Sequence, residues 1–277
     1  STCAPRRAAH HLWREVGRGV RRVGGVDGET PTLWVAVVAA AWFLVFSLPV
    51  LFLVPELPAD ASPVPNVGFA ESYRVLFAEV RALWHDDRAT VQFLIASALF
   101  RDGLTGVFTF GAVIAVSVYG FTDDTVIIFG IAANVAAAAG AIVAGRLDDR
   151  LGPRRVITVS LLAMLTAGVV LLFVQSTAGF WVFGLVLVLF VGPAQSASRT
   201  YLVRLTPPGK EGQHFGLYAM TGRAASFLAP TLFGLFAFVG GDDRWGILGI
   251  MVVLAAGLLA LTRVPPLVGD RARVTAD

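Results

Sequence analysis

Seven stretches of the chain are almost wholly apolar, at roughly 33–54, 91–118, 125–145, 156–174, 179–198, 215–239 and 245–262. Short polar connectors separate the last six. A helix needs about 20 apolar residues to cross the hydrocarbon core of a bilayer, and a backbone in lipid must satisfy its own hydrogen bonds. The pattern therefore predicts seven membrane helices. Pro49, Gly103, Gly106, Gly140, Pro193 and Pro230 fall inside these runs. Membrane helices tolerate such residues, and glycines let neighbours approach closely. The expected fold class is all-α, a polytopic membrane helix bundle.

The connectors alternate in charge. That at 146–155 carries Arg146, Arg150, Arg154 and Arg155, that at 199–214 carries Arg199, Arg204 and Lys210, and the tail carries Arg263, Arg271 and Arg273. The intervening connectors offer Thr122-Asp123-Asp124, Gln175-Ser176-Thr177 and Asp242-Asp243-Arg244. Basic residues collect on the cytoplasmic side of a membrane. The last six segments should thus form three hairpins with both ends inside. The first segment conflicts with this alternation, because residues 1–32 would lie outside while holding six arginines. Either that segment is inverted or the extreme N-terminus is atypical or out-of-frame sequence at a break; the second reading is preferred.

Residues 55–90 are too polar and too long for a hairpin. They open with Pro55, Pro58, Pro63 and Pro65. Phe69, Tyr73, Leu76, Phe77, Val80, Leu83 and Trp84 then recur at helical spacing, opposite Glu71, Arg74, Glu79 and Arg81. This predicts an amphipathic helix on the membrane surface or on the inner face of the bundle.

Composition sharpens the picture. The 277 residues are 56% hydrophobic and 15% charged, with mean hydropathy +0.73, whereas a soluble domain carries about 25% charged residues. The net charge of +3 gives no footprint for nucleic acid. Of 22 basic residues only Lys210 is lysine. One cysteine, Cys3, excludes an internal disulfide and a multi-cysteine metal site. The four histidines are dispersed apart from His10-His11, so no metal or other cofactor is expected. No nucleophile–base set or phosphate-binding loop occurs, and the chain is not expected to be an enzyme. The chain begins with Ser1 rather than Met and is expected to be a fragment.

Ionisable residues inside membrane segments are costly and mark function by default. The second segment holds Arg101 and Asp102, some 15 Å deep if the helix enters near Val91. Adjacent residues point about 100° apart, so Arg101 is not the natural partner of Asp102. Asp102 has two open roles: a carboxylate that couples protons or ions or recognises a solute, or half of a structural ion pair. The sixth segment holds Arg223 at comparable depth, and Asp102 and Arg223 are expected to be close or to share a cavity. Gln195, one turn from Ser198 on the fifth segment, either faces a solute or bonds between helices. Asn134 on the third has the same two readings, with the structural one preferred beside Ala136–Ala141. Gly192-Pro193 is expected to break the fifth helix, and Arg199 to anchor or gate its cytoplasmic end.

Between the third and fourth segments the chain runs Gly145-Arg-Leu-Asp-Asp-Arg-Leu-Gly-Pro-Arg-Arg155. This resembles the hallmark loop of the major facilitator transporters. Gly145, Asp149, Arg150, Gly152, Arg154 and Arg155 fill its pattern, and Pro153 stands where a basic residue is more usual. The loop has two readings: Asp149 locks and releases one state of the transporter, or the arginines only enforce topology; the gate is preferred for its glycine spacing. Phe100–Gly111, Gln195–Arg199, Phe215–Tyr218, Gly222-Arg223 and Pro230 are similar to motifs of the vacuole-effluxer-like branch of that superfamily, in the same order, and the resemblance covers about 33–265.

The resemblance implies a protein of two six-helix halves joined by a cytoplasmic linker. The expected layout is a basic N-terminal segment (1–32), a helix equivalent to helix six (33–54), a cytoplasmic linker with the amphipathic helix (55–90), the second six-helix half (91–263) and a cytoplasmic tail (264–277). The resemblance also implies secondary transport of a small polar solute, with amino-acid efflux the best-known activity. It implies rocking against an absent N-terminal half in a bilayer, expected to be a bacterial plasma membrane; a proton or other coupling ion is a candidate partner on the reading of Asp102 as a coupling carboxylate. Two rivals are a non-transporting membrane scaffold or sensor and a half-size transporter that dimerises.

Overall fold

A computed structural model of the chain describes residues 29–53, 74, 81, 83–85 and 87–265. Among these there is helix and no strand. The basic segment, the 55–90 linker with its amphipathic helix and the tail lie almost wholly outside the described residues. The first helix, α1 (Glu29–Leu53), covers the first apolar run. Its Ser47 hydroxyl donates to the Phe43 carbonyl one turn back, and Trp42 packs on Phe46.

Residues 67–277 form a separate unit. Its helices are α2 (Arg88–Ser117), α3 (Asp123–Leu151), α4 (Pro153–Phe173), α5 (Thr177–Leu189), α6 (Val191–Leu205), α7 (Glu211–Ala225), α8 (Leu228–Gly240) and α9 (Gly246–Thr262). Side-chain oxygens start three of them: Asp87, Thr122 and Ser176 accept backbone N–H groups of α2, α3 and α5, the pairing that an N-terminal first turn requires. Taken as spans, α5 with α6 and α7 with α8 each make one crossing. Among the described residues the unit thus has six helices long and apolar enough to span a bilayer. The core lies where α2, α4, α6 and α9 meet, with Phe93, Phe100, Leu104, Ile157, Leu161, Met164, Tyr201, Leu202 and Leu254 almost fully buried. The α3 and α7–α8 spans bury far less of themselves.

Hydrogen bonds sort the connectors to two ends of this bundle. At one end the Tyr119 hydroxyl is shared between the carbonyls of Leu171 and Val174, Thr177 donates to the Tyr119 carbonyl, and Arg244 lies 5.7 Å from the Tyr119 ring. Burial pushes the Tyr119 phenol up from its ordinary value, and the Arg244 charge partly offsets this. Phe180 packs on the Tyr119 ring, and Phe121, Phe129 and Trp181 join Phe180 in one aromatic cluster. At the other end the Arg154 guanidinium donates to the carbonyls of Leu261 and Thr262, and the Tyr201 hydroxyl donates to the Pro265 carbonyl. The 146–155 and 199–214 connectors and residues 261–265 therefore share an end, and it is the arginine-rich one.

Two spans are broken at mid-length. Phe190 alone separates α5 from α6, two residues before the expected Gly192-Pro193 break, and those two residues instead form the first turn of α6. Ser226 and Phe227 separate α7 from α8, a break that the apolar run did not announce. The cause is the same in both. Pro193 and Pro230 are the third residues of their helices, and a proline there has no N–H to bond the carbonyl four residues back. Helix α3 packs directly on the first break. A Cβ built on Gly140 would overlap the Leu189 carbonyl oxygen, and one built on Gly192 would overlap that of Ala137. Helix α3 also runs further than expected, through residues 146–151 to Leu151. Only Gly152, at φ 84°, separates it from α4. That left-handed conformation favours glycine.

Candidate functional site

Arg101 and Asp102 lie midway along the 30 residues of α2. Consecutive helical side chains diverge by about 100°, so the two reach different neighbours. Arg101 Nη1 donates to the Tyr218 carbonyl at 2.9 Å, and its Cζ stands 3.9 Å from the centroid of the Tyr218 ring. A guanidinium over an aromatic face is stabilised by the ring quadrupole. The Tyr218 hydroxyl in turn shares a 2.6 Å hydrogen bond with the Ser198 hydroxyl, which also reaches the Gln195 carbonyl at 2.8 Å. Arg101 thereby ties α2 to α7, and Tyr218 ties α7 to α6.

Asp102 turns the other way. It is buried, and its Oδ2 accepts the Ala229 N–H at 2.6 Å. Ala229 is the second residue of α8, one of the positions whose amide has no partner within its own helix. The carboxylate therefore caps a helix that begins inside the membrane, where the positive end of the helix dipole favours it. Two neighbouring residues of α2 hold the two pieces of the broken α7–α8 span, one on each side of Ser226-Phe227.

A polar cavity of about 420 Å³ opens at this point. It is lined by Arg101, Asp102, Thr105, Gln195, Arg199, Tyr218, Ala219, Gly222, Arg223 and Ser226. Four of the five predicted residues, Arg101, Asp102, Gln195 and Arg223, thus meet at one place. Asp102 and Arg223 share the cavity as expected but do not form an ion pair; the carboxylate is engaged by Ala229. Asn134 stands apart. It donates to the Gly130 carbonyl of its own helix and lines a different, apolar cavity walled by α2, α3, α4, α5 and α9. Arg199 lines the polar cavity as well as standing toward the arginine-rich end. Sequence reasoning gave no role to Tyr218, Thr105 or Ser226. The available signal was spacing: Tyr218 and Gly222 are four apart, so both face Arg101, and a Cβ on Gly222 would come within 2.9 Å of its Nη1.

The residues of the hallmark loop divide. Gly145, Asp149 and Arg150 belong to the last two turns of α3, Gly152 makes the turn, and Arg154 and Arg155 open α4. Of these arginines, Arg154 makes the cross-helix bond, to the end of α9. A cation at a helix C-terminus is favoured by the dipole and satisfies orphan carbonyls. A Cβ on Gly145 would meet nothing within 4 Å, so nothing in the described residues requires glycine there.

A family model described as "Vacuole effluxer Atg22 like" matches residues 20–274. An uncharacterized MFS-type transporter of Bacillus subtilis (strain 168), YxiO, is 24% identical over 231 residues, covering 82% of this chain and 52% of its own length. Autophagy-related protein 22 of Cryptococcus neoformans var. neoformans serotype D (strain JEC21) is 27% identical over 272 residues, covering 87% of this chain and 46% of its own. The chain spans about half the length of the curated relatives it matches. Among solved structures, a variant of the Escherichia coli fucose:proton symporter FucP has a similar fold, with a TM-score of 0.62 at 14% identity, covering 86% of this chain and 55% of that one.

Proposed function

The chain belongs to the vacuole effluxer Atg22-like family, and from that premise we propose that it supplies one half of a secondary transporter for a small polar solute. The observation that carries this reading is the cavity of Arg101, Asp102, Gln195, Arg199 and Arg223. It opens beside the α7–α8 break at Ser226, level with the middle of α2. Discontinuous helices at mid-depth are where transporters of this architecture hold their cargo, and several charges so placed would be costly without a polar solute to meet. A site of about 420 Å³ suits a small solute.

In this reading the bundle rocks against a second six-helix half. The sparsely buried α7–α8 and α3 spans supply the facing surface. The arginine-rich end is cytoplasmic by the positive-inside rule, which puts the end of α9 inside a bacterial plasma membrane. Asp149 and the arginines of 150–155 act as the gate, latched in one state and released in the other. Asp102 couples solute movement to a proton or other cation. Amino-acid efflux, the activity implied by the family resemblance, is one instance of such transport.

The test is flux of labelled amino acids and organic acids by the complete protein in vesicles, with and without an imposed proton gradient. Gradient-dependent flux that disappears in Arg223→Gln, with the thermal midpoint unchanged, supports the reading. A panel without flux favours the membrane scaffold or sensor, and flux that ignores Arg223 overturns this cavity as the transport site.

A further inference from the structure

The charges that line the polar cavity are unequal: three guanidiniums, of Arg101, Arg199 and Arg223, face the single carboxylate of Asp102. That carboxylate is already engaged, because Oδ2 holds the Ala229 amide. Arg101 is partly engaged through the Tyr218 carbonyl and ring. Arg223 and Arg199 are exposed on the cavity wall, and neither guanidinium has a hydrogen-bonding or ionic partner among the described residues.

We propose that this cavity recognises a small organic anion, a carboxylate whose negative charge is not balanced by a cation on the same molecule. The proposal rests on the reading of the cavity as a transport site and narrows its solute. A guanidinium matches a carboxylate with two parallel N–H···O bonds. Arg223 is the residue set to make them, with Arg199 supplying the second positive charge. A zwitterion such as an amino acid gains the same contact but also brings an ammonium group. Among the described residues no other acidic side chain lines the cavity to receive that group, and two arginines repel it.

The hydroxyls refine the class. Thr105 donates to the Arg101 carbonyl at 3.0 Å and Ser226 to the Arg223 carbonyl at 2.8 Å. Each therefore presents lone pairs, not a proton, to the cavity, and these accept O–H donors of a solute. A hydroxy acid meets both demands.

Lactate and alanine make a matched pair, alike but for hydroxyl against ammonium. Binding of each to the full-length protein in lipid nanodiscs, by calorimetry at neutral pH and low salt, tests the proposal without requiring transport. Lactate should bind at least tenfold more tightly than alanine, and the preference should shrink as salt screens the arginines. Arg223→Gln should weaken lactate at least tenfold, and Arg223→Lys, which keeps the charge but loses the fork, less. Equal affinities, tighter alanine, or binding of neither overturns the proposal. The comparison on the unaltered protein decides even if a variant fails to fold. Lactate preference without lactate flux would refute the transport reading and leave this one standing; flux of alanine in preference to lactate would do the reverse.

Discussion

The carboxylate of Asp102 accepts the backbone N–H of Ala229 at 2.6 Å, across two helices and in the middle of a membrane span. A charge placed there for solute coupling would be free to titrate; this one also terminates a helix. Both roles bear on how its variants behave.

Asp102→Asn keeps an acceptor oxygen and should leave the thermal midpoint close to that of the parent. Asp102→Ala removes the acceptor and leaves a buried amide unsatisfied, at a cost of about 1–3 kcal/mol. If the carboxylate also couples transport, Asp102→Asn will fold normally and lose its response to a proton gradient. Thermal unfolding in detergent, paired with vesicle flux, separates the two effects. Equal unfolding of the Asn and Ala variants would rule out the cap.

Gly140 and Gly192 bring α3 against the break between α5 and α6, each backed by a carbonyl oxygen of the other segment. Valine at either position has to push backbone rather than a flexible side chain. The cost should reach or exceed the upper end of the roughly 1–3 kcal/mol usual for overpacking. Gly145→Val, where the added atoms meet nothing within 4 Å, is the control and should leave unfolding unchanged.

Arg154 donates to two carbonyls at the end of α9. Arg154→Gln should lower stability by about 1–2 kcal/mol, in the range of charged hydrogen bonds and helix-terminal charges. It should also raise amide exchange first at residues 258–263. Arg155→Gln, lacking that bond, should do neither. Hydrogen exchange by mass spectrometry reads both.

Tyr119→Phe leaves the carbonyls of Leu171 and Val174 without their shared donor and should cost about 1–3 kcal/mol. Because the folded protein holds the phenol proton more tightly than the unfolded chain, this group's contribution is complete below the unfolded value of about pH 10. It falls as the pH rises from there through the higher folded value. The parent should lose stability on that alkaline limb, and the Phe variant should lose less. Parallel alkaline curves would show that the phenol is not held in this way.

Much of this was legible in the sequence because membrane helices announce themselves by length and apolarity, and because charges at mid-depth are rare enough to stand out. Arg101, Asp102 and Arg223 could be singled out one by one on that ground, and Gln195 by its polarity one turn from Ser198. What they touch could not. Asp102 pairs with a backbone amide, and an amide has no letter of its own in a sequence. The break at Ser226-Phe227 was hidden because its apolar run is continuous, although Pro230 marked it from three residues downstream. Asn134 has the same polarity as Gln195 but satisfies itself within its own helix, a distinction that only rotation about the helix axis decides.

The corner at Gly152 has a mechanical meaning. With one residue between α3 and α4, and Arg154 clamping the next turn to the end of α9, no slack is left at the arginine-rich end. Three spans there must swing as a single stiff plate. Any bending in the bundle is relegated to the two interrupted spans, where Pro193 and Pro230 each already leave out one link of the backbone ladder.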